Sequence, residues 1–201
     1  SNKYRPLYHF FRQNFSQVTN PPIDSLRENK VMSLKTRFGN LGNILDFNNL
    51  TEENIYVLNS PILTNNQFEK FVSFFDKNNK TIDCTFKSDE DIQTKLNFIK
   101  QEAEVYVRQG VTQIILSDIN VSKENYPIPM LLCIGAVHTH LTKMKLRGYV
   151  SINAQTGEAL DTHSFATLIG VGATTVNPYL ALDSLYQRFE KKLFGKFLYE
   201  E

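Results

Sequence analysis

Short apolar runs alternate with longer segments in which apolar residues recur every three or four positions, from residue 55 to the end of the chain. The first pattern is typical of strands and the second of amphipathic helices. Strands are predicted at residues 55–58, 81–86, 113–116, 149–154 and 174–177. The helices that follow them are predicted to begin at Thr64, Ser88, Pro129, Glu158 and Pro178. Successive strand–helix units with right-handed crossovers form parallel sheets. The pattern from residue 55 onward therefore predicts an α/β fold with a mostly parallel sheet of about five βα units.

The first 50 residues follow a different pattern. Leu7, Phe11 and Phe15 are spaced as one face of a helix, and a second helix is predicted from residue 23, with a Ser25/Glu28 capping box. The glycines of residues 39–43 are expected to end this second helix. We therefore predict a helical arm over residues 1–50 and a βα-repeat body over residues 51–201, together forming one domain.

Local signals specify parts of this arrangement more closely. Thr64 and Gln67 form a capping box, and Gly110 is placed to end the helix that begins near Ser88. The uninterrupted apolar run at 114–116 indicates a strand that is buried on both faces.

Composition and charge exclude several classes of protein. The chain of 201 residues is 41% hydrophobic and carries a net charge of +1, which argues against a dedicated nucleic-acid or anionic-membrane binder. No apolar stretch approaches the ~18 residues of a membrane span. Two cysteines, Cys84 and Cys133, are too few for a disulfide framework or an iron–sulfur cluster, and a reducing cytoplasm is the simpler location.

Most candidate catalytic patterns are incomplete. The clusters at residues 39–42 and 170–173 have neither the lysine of a phosphate loop nor the preceding strand of a dinucleotide fingerprint, and are expected to be helix ends. His138 and His140 lie two apart in a predicted helix, so they point in different directions and are expected to be structural. Residues 161–164 contain Asp, His and Ser, but a triad requires a geometry that adjacency does not supply.

Two features remain open on residue chemistry alone. Asp118 follows a buried strand, where ligands gather in parallel α/β folds, but an aspartate there also commonly caps a turn. The segment 19–24 contains a rigid Pro-Pro pair and is either a helix connector or part of a site. An autonomous α/β enzyme using Asp118 and nearby histidines, and an α/β protein-interaction module, are both compatible with these residues.

A family resemblance narrows these alternatives. In order along the chain, several segments resemble the central domain of the glutamate synthase large subunit. They are residues 17–28 (QVTNPPIDSLRE), 31–34 (VMSL), 59–64 (NSPILT), 116–118 (LSD), 127–129 (PIP), 135–141 (GAVHTHL) and 172–181 (GATTVNPYLA). The resemblance covers nearly the whole chain, and the segments at 17–28 and 172–181 are the most distinctive.

The resemblance implies a specific parent enzyme, which makes L-glutamate from L-glutamine and 2-oxoglutarate. An amidotransferase domain releases ammonia, which passes through a tunnel to an FMN-binding barrel. Electrons arrive through a 3Fe-4S cluster, either from a small NADPH-oxidising subunit or from ferredoxin. The central domain joins the amidotransferase and flavin domains and resembles an incomplete TIM barrel, which agrees with five βα units.

For this chain the resemblance implies a non-catalytic role. It has no amidotransferase nucleophile at its N-terminus, no cluster cysteines and no flavin phosphate loop, so we expect it to bind no flavin, cluster or metal. From its charge balance and its short apolar stretches we expect no nucleic acid and no membrane as partners. Thr19 and Asn20 fall in the family segment that lines the ammonia path and are the expected functional residues. Asp24 and Arg27 are expected to fix the start of the helix that follows.

Overall fold

The computed structural model describes residues 5–12, 14, 22–39, 45 and 55–195. The chain separates into two compact units, one made of residues 9–61 and the other of residues 1–8 with 62–201. The α-helices of the described part are α1 (Ser25–Val31), α2 (Asn65–Phe75), α3 (Ile92–Arg108), α4 (Met130–Lys143), α5 (Thr162–Gly170) and α6 (Tyr179–Glu190). Its strands are β1 (Thr36–Phe38), β2 (Tyr56–Leu58), β3 (Asn79–Asp83), β4 (Thr85–Lys87), β5 (Gln113–Ser117), β6 (Asn125–Pro127), β7 (Ser151–Gln155) and β8 (Thr175–Asn177).

A four-stranded parallel sheet organises the larger unit. Its strand order is β3-β5-β7-β8, and within the described residues it does not close into a barrel. Ile62 adds one parallel bridge to Val176, next to the edge strand β8. The α/β class, the mostly parallel sheet and its incomplete, TIM-like character are thereby confirmed.

One predicted strand has a different partner. Three residues of the predicted strand 55–58 do form β2 (Tyr56–Leu58), but this strand pairs antiparallel with β1 inside the smaller unit. The parallel sheet therefore has four strands rather than five. An apolar run specifies an extended backbone, but it does not specify which other strand accepts its hydrogen bonds.

The face of the sheet with the apolar core carries α3, α4 and α5. Ile82, Ile114 and Leu116 alternate onto this face and are at most 1% exposed. They belong to one core cluster with residues of α3 and α4 that recur every three or four positions, which are Ile99, Ala103, Val107, Met130, Ile134, Val137 and Leu141. The apolar residues that recur at helical spacing in the sequence are therefore the ones that pack α3 and α4 against the sheet.

The opposite face is buried and carries polar side chains beside the apolar Ile115. Asn153 on β7 is in register with Thr175 on β8 and with Ile115 on β5, and Gln113 lies two positions before Ile115. Gln113, Asn153 and Thr175 are at most 3% exposed. Thr175 Oγ1 donates to Asn153 Oδ1 at 2.8 Å, and Asn153 Nδ2 donates to Gln113 Oε1 at 3.1 Å. The prediction that the central strands are buried on both faces holds, and on the second face hydrogen bonds satisfy the polar side chains that lie beside Ile115.

Several helix starts differ from the sequence prediction. The Thr64/Gln67 capping box of α2 is confirmed. Helix α3 begins at Ile92 with Asp91 as its cap, not at Ser88, and α5 begins at Thr162 with Asp161 as its cap, not at Glu158. In each case the aspartate adjacent to the helical run accepts a backbone N–H of the first turn, which fixes the start there. Hydrogen bonds from Thr94 also lower the pKa of Asp91.

The arm departs further from its predicted helices. Asp24, not Ser25, caps α1. The helix ends at Val31, the backbone is extended at Met32, and β1 follows at residues 36–38. The predicted stripe at residues 7, 11 and 15 is represented by a 3-10 turn at Leu7–Phe10, while Phe15 lies outside the described residues.

Gly110 ends α3 as predicted, at a φ of +91°. None of the helices in the described part of the chain is both long and apolar enough to cross a membrane.

Candidate functional site

A pocket opens at the carboxyl ends of the parallel strands. Its volume is about 270 Å³, and it is lined by Asp118, Val121, Pro127, Pro129, Gly157, Glu158, Tyr179 and Leu180. Asp118 directly follows β5, Gly157 and Glu158 follow β7, and Tyr179 follows β8. Ligand sites of parallel α/β proteins occur at this end of the sheet, so the pocket is where the fold would place one.

Asp118 is buried and accepts hydrogen bonds from three residues. Its carboxylate oxygens accept from Thr156 Oγ1 at 2.6 Å, from the Gly157 backbone N–H at 3.0 Å and from the Tyr179 hydroxyl at 2.9 Å. These donors stabilise a carboxylate that is only 2% exposed. Asp118 therefore ties together the loops after β5, β7 and β8, which is a structural use of the residue that sequence chemistry marked as a catalytic candidate.

Burial and the contact with Asp118 change the pKa of Tyr179. Burial raises the pKa of its phenol far above the ordinary value, and the neighbouring Asp118 carboxylate raises it further. The phenol thus stays protonated and acts as a hydrogen-bond donor. This arrangement fixes the first residue of α6 against the end of the sheet.

Glu158 is the second carboxylate of the pocket. Its Oε2 accepts from the Met130 backbone N–H at 2.9 Å and from the Tyr8 hydroxyl at 3.4 Å. Pro129 precedes α4 without a side-chain cap, so Glu158 supplies the anionic partner for this helix start from a distant loop. Burial raises the pKa of the Glu158 carboxyl, the two hydrogen bonds oppose that change, and the charge of Asp118 adds to it.

The two histidines of α4 have separate partners. His138 Nδ1 accepts from Arg147 Nε at 3.1 Å, and another nitrogen of Arg147 donates to the Gly172 carbonyl at 2.9 Å. His140 Nε2 lies 2.6 Å from Glu104 Oε2 on α3. No three His, Cys, Asp or Glu side chains of the described residues are grouped so that they could hold a metal ion.

The residues of triad type do not form a triad. Ser164 Oγ donates to Asp161 Oδ1 at 2.6 Å, while His163 Nε2 lies 2.9 Å from the Tyr8 carbonyl oxygen. The serine hydroxyl is therefore used in capping α5 and does not donate to the imidazole. This contact pattern provides no activated nucleophile.

The remaining candidates lie in the arm. Asp24 Oδ1 accepts from the backbone N–H groups of Leu26 and Arg27, at 3.0 and 2.9 Å, so it does fix the start of α1. Thr19 and Asn20 lie outside the described residues.

The starts of α4 and α5 and the two cysteines do not suit a flavin phosphate or an iron–sulfur cluster. A phosphate would need helix N-termini with open N–H donors, but carboxylates of Glu158 and Asp161 already accept from the first turns of α4 and α5. Cys84 and Cys133 are both fully buried, and the neighbouring Cys133 thiol together with burial raises the pKa of Cys84. Cluster ligation requires thiolates, which this environment disfavours.

Sequence reasoning missed the part played by Glu158 and Tyr179. Glu158 was assigned to the start of a helix, although it lies in the loop before α5 and contacts α4. Tyr179 belongs to a distinctive segment, 172–181, but its contact with Asp118 spans 61 positions. The available signal was positional, since each residue follows a predicted parallel strand within a few positions.

Comparison with known proteins gives one consistent family. The family model described as the glutamate synthase central domain matches residues 1–200. The chain is 52% identical over 198 residues to the glutamate synthase [NADPH] large chain of Azospirillum brasilense, covering 97% of this chain and 13% of that protein. It is 40% identical to the corresponding large chain of Bacillus subtilis, covering 95% of this chain and 12% of that protein. It is 39% identical to the ferredoxin-dependent glutamate synthase of Spinacia oleracea, covering 93% of this chain and 12% of that protein.

Proposed function

The chain belongs to the glutamate synthase central-domain family, and from that membership we propose that it is the linking domain of a glutamate synthase large chain. Such an enzyme forms L-glutamate from L-glutamine and 2-oxoglutarate. The observation that carries the proposal is the family match over residues 1–200. The chain spans about an eighth of the length of these relatives, which are 39–52% identical to it and are glutamate synthases by name. The partners of this domain are then the amidotransferase and flavin domains of the same polypeptide.

The chemistry of the strand-end pocket supports a scaffold role for this part of the enzyme. The Asp118 carboxylate accepts hydrogen bonds from the protein's own hydroxyl groups, and the Glu158 carboxylate caps α4, so both carboxylates hold structural elements together. FMN and the 3Fe-4S cluster belong to other domains of the parent, which receives electrons from a small NADPH-oxidising subunit or from ferredoxin. We propose a cytoplasmic location, and the two free, buried thiols of Cys84 and Cys133 support a reducing compartment.

Activity measurements separate this proposal from an autonomous enzyme. The full-length large chain with its electron donor should form glutamate from glutamine and 2-oxoglutarate, whereas residues 1–201 alone should form none. Glutamate formation by residues 1–201 would contradict the scaffold role. A full-length protein that is loaded with cofactors but makes no glutamate would contradict the assigned reaction.

We also propose that Thr19 and Asn20 line the ammonia path. Their position directly before Pro21-Pro22 supports this role, because the fixed φ of proline restrains the backbone that carries them. A hydroxyl and an amide can pass hydrogen bonds to ammonia inside an otherwise weakly polar wall. In the full-length enzyme, Thr19→Val and Asn20→Ala should therefore uncouple glutamine hydrolysis from glutamate formation.

The measurement is the ratio of glutamine hydrolysed to 2-oxoglutarate consumed. We expect this ratio to rise in both variants while activity with added ammonia is retained. Asn97→Ala, on the exposed surface of α3, is the matched control and should keep the wild-type ratio. If both arm variants also keep it, the segment is only a connector.

A further inference from the structure

Exposed apolar side chains lie on the loops and the helix start that build the strand-end pocket. This group, called the rim below, consists of Ile119, Val121, Leu160 and Leu180, each between 45% and 66% exposed. Val121 and Leu180 also line the pocket, and Ile119 and Leu160 lie one and two positions from the lining residues Asp118 and Glu158. Exposed apolar side chains grouped around a pocket are typical of an interaction surface rather than of a solvated one.

The interior of the pocket combines apolar walls with negative charge. Its lining residues include the two carboxylates Asp118 and Glu158 and no basic side chain. Asp118 is occupied by its own donors, but both donors to Glu158 reach Oε2. Oε1 of Glu158 accepts no hydrogen bond from the residues that the structure describes. The pocket therefore fits a side chain with an apolar stem and a cationic tip.

We propose that the pocket receives a lysine or arginine side chain from a segment of the same large chain outside residues 1–201, and that apolar residues of that segment cover the rim. The proposal rests on the proposed function, because membership in a large chain is what supplies the segment. The relatives have the necessary length, since this chain covers only 12–13% of them.

The chemistry favours this occupant over a free small cation. A bound amine would satisfy Glu158 but would leave the rim in contact with water. A folded segment satisfies both the Glu158 carboxylate and the rim. Its cation pairs with the half-buried carboxylate, and its apolar residues remove the rim from solvent. The side-chain stem of lysine or arginine would pack against Pro127 and Pro129.

Photo-cross-linking in the full-length large chain tests the proposal. Leu160 is replaced by p-benzoylphenylalanine, and the cross-linked peptides are identified by mass spectrometry. Phe98 on α3 is the matched control position, since it is 65% exposed against 66% for Leu160. We expect Leu160 to cross-link to one segment of the same polypeptide outside residues 1–201, next to a lysine or arginine, and Phe98 not to reach that segment.

Two further variants test the charge. Glu158→Gln keeps an acceptor for the Met130 N–H but removes the negative charge, so the Leu160 cross-link should fall by about threefold or more. Val121→Lys places a competing ammonium at the pocket mouth and should have the same effect without altering the α4 cap. Circular dichroism at wild-type level confirms that both variants are folded.

Each other outcome overturns the proposal. A cross-link to a second copy of the chain, to residues 1–201 themselves, to a segment without a basic residue, or to nothing contradicts the named occupant. An unchanged yield in folded Glu158→Gln and Val121→Lys contradicts the role of charge. Glutamate formation is measured in the same preparations. Its loss with an intact cross-link would count against the assigned reaction and leave the docking site in place.

Discussion

The Tyr179 hydroxyl donates a hydrogen bond to Asp118 Oδ1 at 2.9 Å and thereby joins the first residue of α6 to the end of β5. The two residues are 61 positions apart, and each follows a strand of the parallel sheet. Because the carboxyl ends of parallel strands meet at one edge, their loops can share a single buried carboxylate. Asp118 is that carboxylate, and the geometry of the pocket depends on it.

Tyr179→Phe should lower the free energy of unfolding by about 1–2 kcal/mol at pH 7, because it removes one donor from a buried carboxylate and leaves the others in place. Urea denaturation measures the change. Tyr149→Phe, at a side chain that is 72% exposed, is the comparison and should change stability by less than about 0.5 kcal/mol. Equal effects of the two substitutions would show that the contact with Asp118 contributes no stability.

The same tyrosine should make stability depend on alkaline pH. Its pKa is raised in the folded protein above the unfolded value near 10.0, so its contribution is complete below pH 10 and is lost as the pH rises further, when the unfolded chain ionises first. Wild type should therefore lose stability more steeply above pH 10 than Tyr179→Phe does. Parallel slopes for the two proteins between pH 9 and about 11 would contradict a raised pKa.

Gly172→Ala should destabilise the fold by about 2–4 kcal/mol. Gly172 has a φ of +127°, and an added Cβ would lie 2.5 Å from His138 Nδ1, so the substitution combines backbone strain with a clash against a partly buried ring. Thermal and urea unfolding both report the loss. The substitution should also weaken the bond from Arg147 to the Gly172 carbonyl.

Gly135→Ala is the matched control for that substitution. Gly135 lies within α4, and nothing within 4 Å would meet its added Cβ. Alanine is the better helix former, so this variant should gain up to about 1 kcal/mol. Destabilisation of both variants by the same amount would show that neither the positive φ nor His138 distinguishes Gly172.

Asn153→Ala should cost about 2–4 kcal/mol, because it leaves Gln113 and Thr175 without their partner inside the polar face of the sheet. Adding Thr175→Val to Asn153→Ala should cost less than the sum of the two single substitutions, since the second change removes the hydroxyl that the first left unpaired. A double-mutant cycle from urea denaturation measures this coupling. Strict additivity would contradict the network.

Glu104→Gln should destabilise the protein at neutral pH but not in acid. Hydrogen bonds from Arg108 and His140 lower the pKa of Glu104 below its ordinary 4.5. A lowered pKa contributes stability above the unfolded value, and that contribution is lost as the pH falls through the folded pKa. The difference between wild type and variant should therefore close below pH 4.5, whereas a difference that is constant with pH would contradict the ionic contribution.

The sequence by itself determined the elements whose signals are local. The Thr64/Gln67 capping box, the stop at Gly110 and the helix stripes of α3 depend on residues a few positions apart, and all are seen in the structure. The alternation of strands and helices likewise indicated a mostly parallel sheet. The family motifs at residues 17–28 and 172–181 indicated the domain family from the residues alone.

Only the tertiary structure decided which distant groups meet. It paired β2 with β1 rather than with the parallel sheet, aligned Gln113, Asn153 and Thr175 into a polar face, and brought Glu158 to the start of α4. The physical reason is that a local pattern sets backbone conformation and apolarity over a few residues, whereas hydrogen-bond partners across strands and loops are chosen by the packing of the whole unit. The strand-end pocket, built from three separate loops and the start of α6, is the product of that packing.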